Sequence, residues 1–554
     1  MHVKPSGITR AVFVFRKSLY AGDTEAERNS AMLQKIIPLL LFFIVTVCVG
    51  IVCRRQAFNV EGFVLGGRKA GSILTAFAYG TSYFSAVIFV GYAGQFGWKY
   101  GISSTWIGIG NALIGSLMAW MLLGRRTRLM TRHLDSSTMP DFFGKRFDSP
   151  ALRTAASVII FVFLIPYTAS LYNGLSRLFE MAFHIDYSWC VLAMAVLTAV
   201  YVIAGGYLAT AINDFIQGII MLFGIAAIVL AVLKSNGGFT EAVRQLSTLT
   251  AETAPELNGA FVSFFGPQPV FLLGVVLLTS LGTWGLPQMV GKFYAIKDED
   301  AIGKGTVIST FFAIIVAGGC YFLGGFGRLY SASIEYSASG SPIYDSIIPC
   351  MLSGQSDLLV GIVMILVLSA SMSTLSSLVL TSASTITLDI AAPAMQKKEG
   401  MTEDAKLRMI RLLILFFIAV SSVIAIIQAK STVTFIAQLM GISWGALAGA
   451  FLAPFLFGLY WKKASAAGVW ACFAAGIGIM CVNMFCSFTG RPFLNGFFTS
   501  PINAGVLAML AGLVILPVVS LFGGAQDASR VDGIFSCYER TVTVRAAEAL
   551  SDEQ

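Results

Sequence analysis

The densest run of side chains able to hold an ion is Leu368-Ser369-Ala370-Ser371-Met372-Ser373-Thr374-Leu375-Ser376-Ser377, with Thr381, Ser382 and Ser384 beyond it. On a helix, residues 370, 373, 374 and 377 share one face, because residues three or four apart stack above one another. That face offers the oxygens of Ser373, Thr374 and Ser377, with Ser376 beside it. Neutral hydroxyl and carbonyl oxygens suit a hard cation bound weakly and reversibly. Close packing of small residues explains only part of so many hydroxyls in succession.

Three other places carry chemistry. Gly80-Thr81-Ser82-Tyr83-Phe84-Ser85 sets a flexible residue and four hydroxyl groups in the middle of an apolar stretch. A broken helix there would free carbonyls for a cation, whereas a continuous one would bond its hydroxyls back to the preceding turn. Leu281-Gly282-Thr283-Trp284-Gly285-Leu286-Pro287-Gln288 must kink, since Pro287 removes a donor and clashes with the turn before it. Asp214, just after Gly205-Gly206, is a carboxylate at the edge of an apolar run, which points to pairing or an ion path, or else to a cap on its own helix. Asp389 closes the ninth apolar run, and placement at a helix end near water is a sufficient account of it.

The elements that position these residues are membrane helices. Of 554 residues, 56% are hydrophobic and 12% charged, against about 25% charged in a soluble domain. Windows of about 20 apolar residues predict thirteen spans, near 34–53, 71–96, 102–123, 152–178, 187–208, 212–233, 270–294, 305–326, 356–388, 408–428, 432–458, 465–487 and 503–523. The formal charge of +8 lies in short basic runs between spans, which are topology signals and not a nucleic-acid surface. Arg54 and Arg55, the group from Arg125 to Arg153, Lys297 and Lys304, Lys397 to Arg408, and Lys462 and Lys463 fall on one face. The positive-inside rule then puts the amino terminus outside and the carboxyl terminus inside. The first apolar run reads as a permanent helix and not a cleaved leader, and polar stretches 235–269 and 328–350 are expected outside.

Other classes find little support. An enzyme needs a nucleophile with a base or a metal cluster, yet the three histidines, His2, His133 and His184, lie in the tail or near span boundaries. A solute sensor would need a signalling domain larger than the short tail after the last span. The nine cysteines lack metal-ligand spacing and read as buried, inert thiols, with a Cys320–Cys350 disulfide across an external loop left open.

The ordered set of motifs resembles the sodium/solute symporter family, which includes carriers of proline, pantothenate, sugars, iodide and monocarboxylates. It comprises the Thr81–Ser85 segment, Met139-Pro140-Asp141-Phe142-Phe143 with Lys145-Arg146-Phe147, Gly205-Gly206 to Asp214, Pro287-Gln288 with Lys292-Phe293, and Ala370 to Ser377. The resemblance covers roughly residues 34–525. It implies an all-α polytopic membrane protein whose core is two inverted five-helix repeats with discontinuous helices, at 71–233 and 270–458. A polar tail (1–33), an extra helix (34–53), two further helices (465–523) and a cytoplasmic tail (524–554) flank that core. It also implies a monomer in a bacterial inner membrane.

By the same resemblance, a sodium ion would be held by the backbone oxygens of Thr81, Phe84 and Ala370 and the hydroxyls of Ser373 and Thr374. A second position found in some members matches Asp214, Ser373, Ser376 and Ser377, so one or two sodium ions per cycle are implied, with two favoured. The solute would lie beside Tyr83, Ser85, Ala86, Val87 and Ile88, facing Thr279, Thr283, Trp284 and Pro287. Val87 and Ile88 stand where sugar carriers have acidic or amide groups, which disfavours sugars, and Tyr83 stands where proline carriers have an aspartate. The expectation is import of a small organic anion or monocarboxylate, ahead of proline or another amino acid, and then pantothenate.

Overall fold

The computed structural model describes residues 25–54, 58–183, 185–337, 340–396, 400–429, 436–491, 494, 496–523 and 527–539. Residues 1–24 and 540–554 of the two expected tails, together with His2 and His184, lie outside the described residues. The helices that matter below are α1 (Glu25–Cys53), α2 (Ser72–Tyr83), α3 (Met139–Arg146), α4 (Pro150–Phe183), α5 (Tyr187–Ser235), α6 (Pro269–Ser280), α7 (Pro287–Ala295), α8 (Glu299–Ala313), α9 (Asp357–Thr385), α10 (Glu403–Ala429), α11 (Ile436–Tyr460), α12 (Ala466–Thr489) and α13 (Pro501–Phe522). Among the described residues no strand forms, and only isolated bridges such as Ala70 with Ile296 occur.

The burial pattern is that of helices in lipid. On α13, Leu510, Val514, Val518 and Leu521 face outward while Ala508, Met509, Gly512 and Leu516 are buried. An apolar face turned out and small residues turned in are what lipid contact and close packing require. Among the described residues, ten helical segments are long and apolar enough to cross a membrane, and the pair Pro269–Gly285 and Pro287–Ala295 joins them with a bend of 46°. The most enclosed are the segments of α9 and α11, 78% and 83% buried, and α12 at 33% lies at the periphery.

Two of these segments, Val87–His133 and Tyr187–Ser235, have 47 and 49 residues. Each would be roughly 70 Å long if straight, more than twice a hydrocarbon core of about 30 Å. Both are broken at a glycine with a backbone that side chains avoid, at Gly101 (φ 65, ψ −144) and Gly206 (φ 56, ψ −149). Expected spans 187–208 and 212–233 meet at the second of these. A Cβ on Gly206 would stand 2.7 Å from Phe63 O, so both conformation and space demand glycine there.

The short helix α3 accounts for the Met-Pro-Asp-Phe-Phe motif. Thr138 caps it, its Oγ1 accepting from Asp141 N at 3.1 Å, and Phe142 and Phe143 pack on Phe455 and Phe451 of α11. Arg146 is buried, and its guanidinium donates to Gly458 O and Trp461 O at the end of α11. Carbonyls at a helix end lack internal partners, and a cation satisfies them and the dipole together. Burial lowers the Arg146 pKa to about 10, which still leaves it charged at neutral pH.

One expectation needs correction. Asp389 does not sit at a helix end near water. The helix runs on from α9 through a π-helical turn, Ile386–Ala391, into Ala392–Gln396, which buries the carboxylate. It accepts from Thr138 Oγ1 at 2.7 Å and from Arg153 Nε at 3.0 Å, and Arg153 also reaches Asp141 at 3.5 Å. The Cys320–Cys350 pairing that the sequence left open does not form. Both are free thiols, Cys320 directed at Ile88 O and Cys350 at Ser333 O.

Gly206→Ala should lower the thermal midpoint of the detergent-solubilised protein by an amount equivalent to about 1–3 kcal/mol of backbone strain. Gly478→Ala, where nothing lies within 4 Å of the added carbon, should leave the midpoint level or slightly higher. Equal effects of the two would refute the break at Gly206.

Candidate functional site

The site begins where α2 stops. Phe84 is extended (φ −85, ψ 124) and its N–H closes the last turn on Gly80 O. The helix then restarts from Ser85, whose carbonyl accepts from Ile88 N and Phe89 N, both at 3.0 Å. Carbonyls before such a break lose their helical donors and need others.

Helix α9 supplies those donors. Ser373 Oγ donates to Thr81 O at 3.0 Å, and Thr374 Oγ1 lies 3.4 Å from Thr81 O, 3.4 Å from Ser82 O and 3.5 Å from Phe84 O. Both hydroxyls are also 3.1 Å from Ala370 O. Thr81, Phe84, Ala370, Ser373 and Thr374 are thus brought together as five neighbouring oxygens. For a hard cation ligated at about 2.3–2.6 Å, adjacent octahedral ligands stand about 3.3–3.7 Å apart, close to these separations. Turning the two hydroxyl protons away would present all five lone pairs to one ion.

The four residues matched to a second cation position are arranged differently. Asp214 is fully buried, and its Oδ2 lies 3.7 Å from Lys292 Nζ of α7. Lys292 donates to Ser377 Oγ at 2.9 Å and stands 5.4 Å from the Tyr207 ring centre. Ser377 Oγ also shares a hydrogen bond of 2.9 Å with Ser82 Oγ, and Ser376 donates to Ser373 O at 2.9 Å within α9. Asp214 is therefore an ion-pair partner and not a cap on its own helix. Lys292 escaped assignment from sequence, although an ammonium among Met289, Val290, Phe293 and Tyr294 was a sufficient signal.

Residues expected around a solute divide into two groups. Tyr83 and Thr279 meet, Tyr83 OH donating to Thr279 O at 3.1 Å. Ala86 packs on Gly174 of α4, and Ser85, Val87 and Ile88 are fully buried. Thr283 donates to Ser280 O at 2.7 Å and Trp284 Nε1 to Ile114 O at 3.0 Å, so both brace the bend between α6 and α7. Pro287 opens α7 and lines a cavity with Gln288 and Lys292.

Two aromatic residues join the first group without having been expected. Trp444 of α11 lies 5.9 Å from the Tyr83 ring and 5.9 Å from that of Tyr167 on α4, ring centre to ring centre. Tyr167 OH faces Ser85 and Trp444, and beyond this mutual contact Ser85 Oγ, Tyr167 OH and Trp444 Nε1 are buried with no well-formed hydrogen bond. Two hydroxyls and an indole N–H held loosely by one another can turn to a ligand that brings acceptors.

A model described as "Sodium:solute symporter family" matches residues 63–476. The osmoregulated proline transporter OpuE of Bacillus subtilis is 28% identical over 483 residues, 87% of this chain and 94% of that protein. Sodium/proline symporter 2 of Staphylococcus saprophyticus is 28% identical over 460 residues, covering 82% and 86%. The fold is similar to a solved structure of a Na+-coupled sialic acid symporter in a substrate-bound outward-open state, with a TM-score of 0.72, 15% identity and coverage of 88% and 98%.

Ser373→Ala and Thr374→Ala should each weaken 22Na+ binding by roughly tenfold or more, since an oxygen facing a charge contributes about 1.5–3 kcal/mol. Unchanged binding in the double variant would remove the five-oxygen assignment.

Proposed function

We infer, starting from the fact that the chain belongs to the sodium:solute symporter family, that it imports a small organic anion, most simply a monocarboxylate, together with sodium. Sodium-coupled symport through a multi-pass membrane protein follows from that membership, and the solute is our proposal. The observation carrying it is the buried cluster of Ser85, Tyr167 and Trp444, whose polar groups have only one another and no well-formed hydrogen bond. A carboxylate brings acceptors to such donors, and the neighbouring bound cation would offset its charge. The aromatic faces of Tyr83, Tyr167 and Trp444 suit a small apolar remainder.

We place sodium on the oxygens of Thr81, Phe84, Ala370, Ser373 and Thr374, and the solute between Tyr83, Ser85, Ala86, Tyr167, Thr279 and Trp444. The cation then ties the break in α2 to α9, and the solute rests against that same break. Binding of each would favour one arrangement of the two helices, which is the coupling an alternating-access cycle requires.

The architecture we propose has thirteen crossings, dividing Val87–His133 near Gly101 and Tyr187–Ser235 near Gly206. The basic runs then lie in the cytoplasm, with the amino terminus outside and the carboxyl terminus inside. Residues 71–233 and 270–458 form inverted repeats, each beginning with an interrupted helix, at Phe84–Ser85 and at Leu281–Leu286. The protein works as a monomer in a bacterial inner membrane.

A second reading, proline, is supported by the names of the two relatives reported above. It shares the carboxylate but adds an ammonium, for which the site offers aromatic faces and carbonyls and no aspartate at Tyr83.

An inward sodium gradient should drive tracer uptake of lactate, pyruvate or propionate into liposomes, and Tyr167→Phe should raise the KM roughly 2–10-fold, the effect of one neutral hydrogen bond. Uptake of proline alone would establish the second reading. Sodium-independent uptake, or none of any acid, would overturn the proposal.

A further inference from the structure

The Lys292 ammonium stands among the residues matched to a second cation position. Two of the four, Asp214 and Ser377, face it at 3.7 and 2.9 Å. The other two are engaged elsewhere, Ser373 Oγ on Thr81 O and Ala370 O and Ser376 Oγ on Ser373 O. Both Asp214 oxygens lack hydrogen bonds, so the ammonium is the group that balances this carboxylate, and the side chains of the pair are only 4% and 1% exposed. A sodium ion added there would bring an uncompensated positive charge into a site that is already neutral.

We propose that Lys292 is the resident cation of the second position, so that the protein carries one sodium ion per solute. This rests on the reading of the five-oxygen site as the sodium site. The tethered charge does structural work without being transported. Through Ser377 it reaches Ser82, which is next to Thr81, and so steadies the frame of the first site from the α7 side. A cavity of about 50 Å³ lined by Tyr207, Thr210, Ser377, Thr381, Ser384 and Lys292 reaches the lysine side of the pair. Once the ammonium is removed, an ion entering that cavity would find the Asp214 carboxylate behind the vacated position.

The stoichiometry fixes the electrical character of the cycle. One sodium ion with a monoanion moves no net charge, whereas two would move one positive charge and make uptake depend on membrane potential. With a neutral solute, one sodium ion moves a single charge.

The test is equilibrium 22Na+ binding to the purified full-length protein without solute. The wild type should hold one ion, Lys292→Gln two, and the charge-neutral double variant Asp214→Asn/Lys292→Gln one. Two ions in the wild type, or one in Lys292→Gln, would overturn the proposal. Should Lys292→Gln fold only in sodium, its thermal midpoint should rise more steeply with sodium than that of the wild type, since the ion then balances a buried carboxylate. A midpoint with the wild-type sodium dependence would count against the proposal, and if the variant yields no protein the wild-type count decides. No ion bound to the wild type would instead overturn the sodium-site reading beneath it, a result distinct from two.

Discussion

The structure depends on a single constraint, that backbone groups freed inside a membrane must find partners within the protein. At Phe84 the ladder of α2 is interrupted, and the partners come from Ser373 and Thr374 of α9. That contact holds the break open, aligns α9 against it, and places five oxygens at spacings suited to one hard cation. The proposed solute position lies beside the break, with Tyr83 at the end of α2, Ser85 where the helix restarts, and Trp444 and Tyr167 against them. A cation bound at the break and a solute resting on it would therefore be coupled through a few residues rather than through a distant relay.

Charges in the interior are placed by the same logic. Asp214 with Lys292, and Asp389 with Arg153 and Thr138, are pairs with little exposure. Burying such pairs adds little net stability, but breaking one leaves an uncompensated charge. They act as registers that fix how α5, α7 and α9 meet at one level and how α3, α4 and the continuation of α9 meet at another. Arg146 serves α3 and the end of α11 in the same way.

Much of this was legible in the sequence because the bilayer restricts the choices. Apolar runs pointed to helices, Pro287 marked a kink, and the Thr81–Ser85 hydroxyls raised a break as one of two possibilities, while Gly206 stood near the junction of two expected spans without being singled out as a break. The Ser373–Ser377 stripe pointed to the oxygens of α9. The fate of Asp389 was hidden because a π-helical turn prolongs the helix beyond the point where charged residues suggested its end. Tyr167 and Trp444 look like ordinary aromatic residues of apolar helices, and only the tertiary packing of α4 on α11 brings them to Ser85. Lys292 was visible as a charge among apolar residues, but its partner lies 78 positions away, and no local spacing links it to Asp214.

The most direct test is hydrogen exchange of the purified protein in sodium and in choline, read in peptides covering residues 80–89 and 368–378. Exchange should be slower in sodium in both peptides, with the difference lost in the Ser373→Ala/Thr374→Ala variant. Equal exchange in the two salts, or a sodium effect retained in that variant, would contradict the claim that a cation joins the break in α2 to α9.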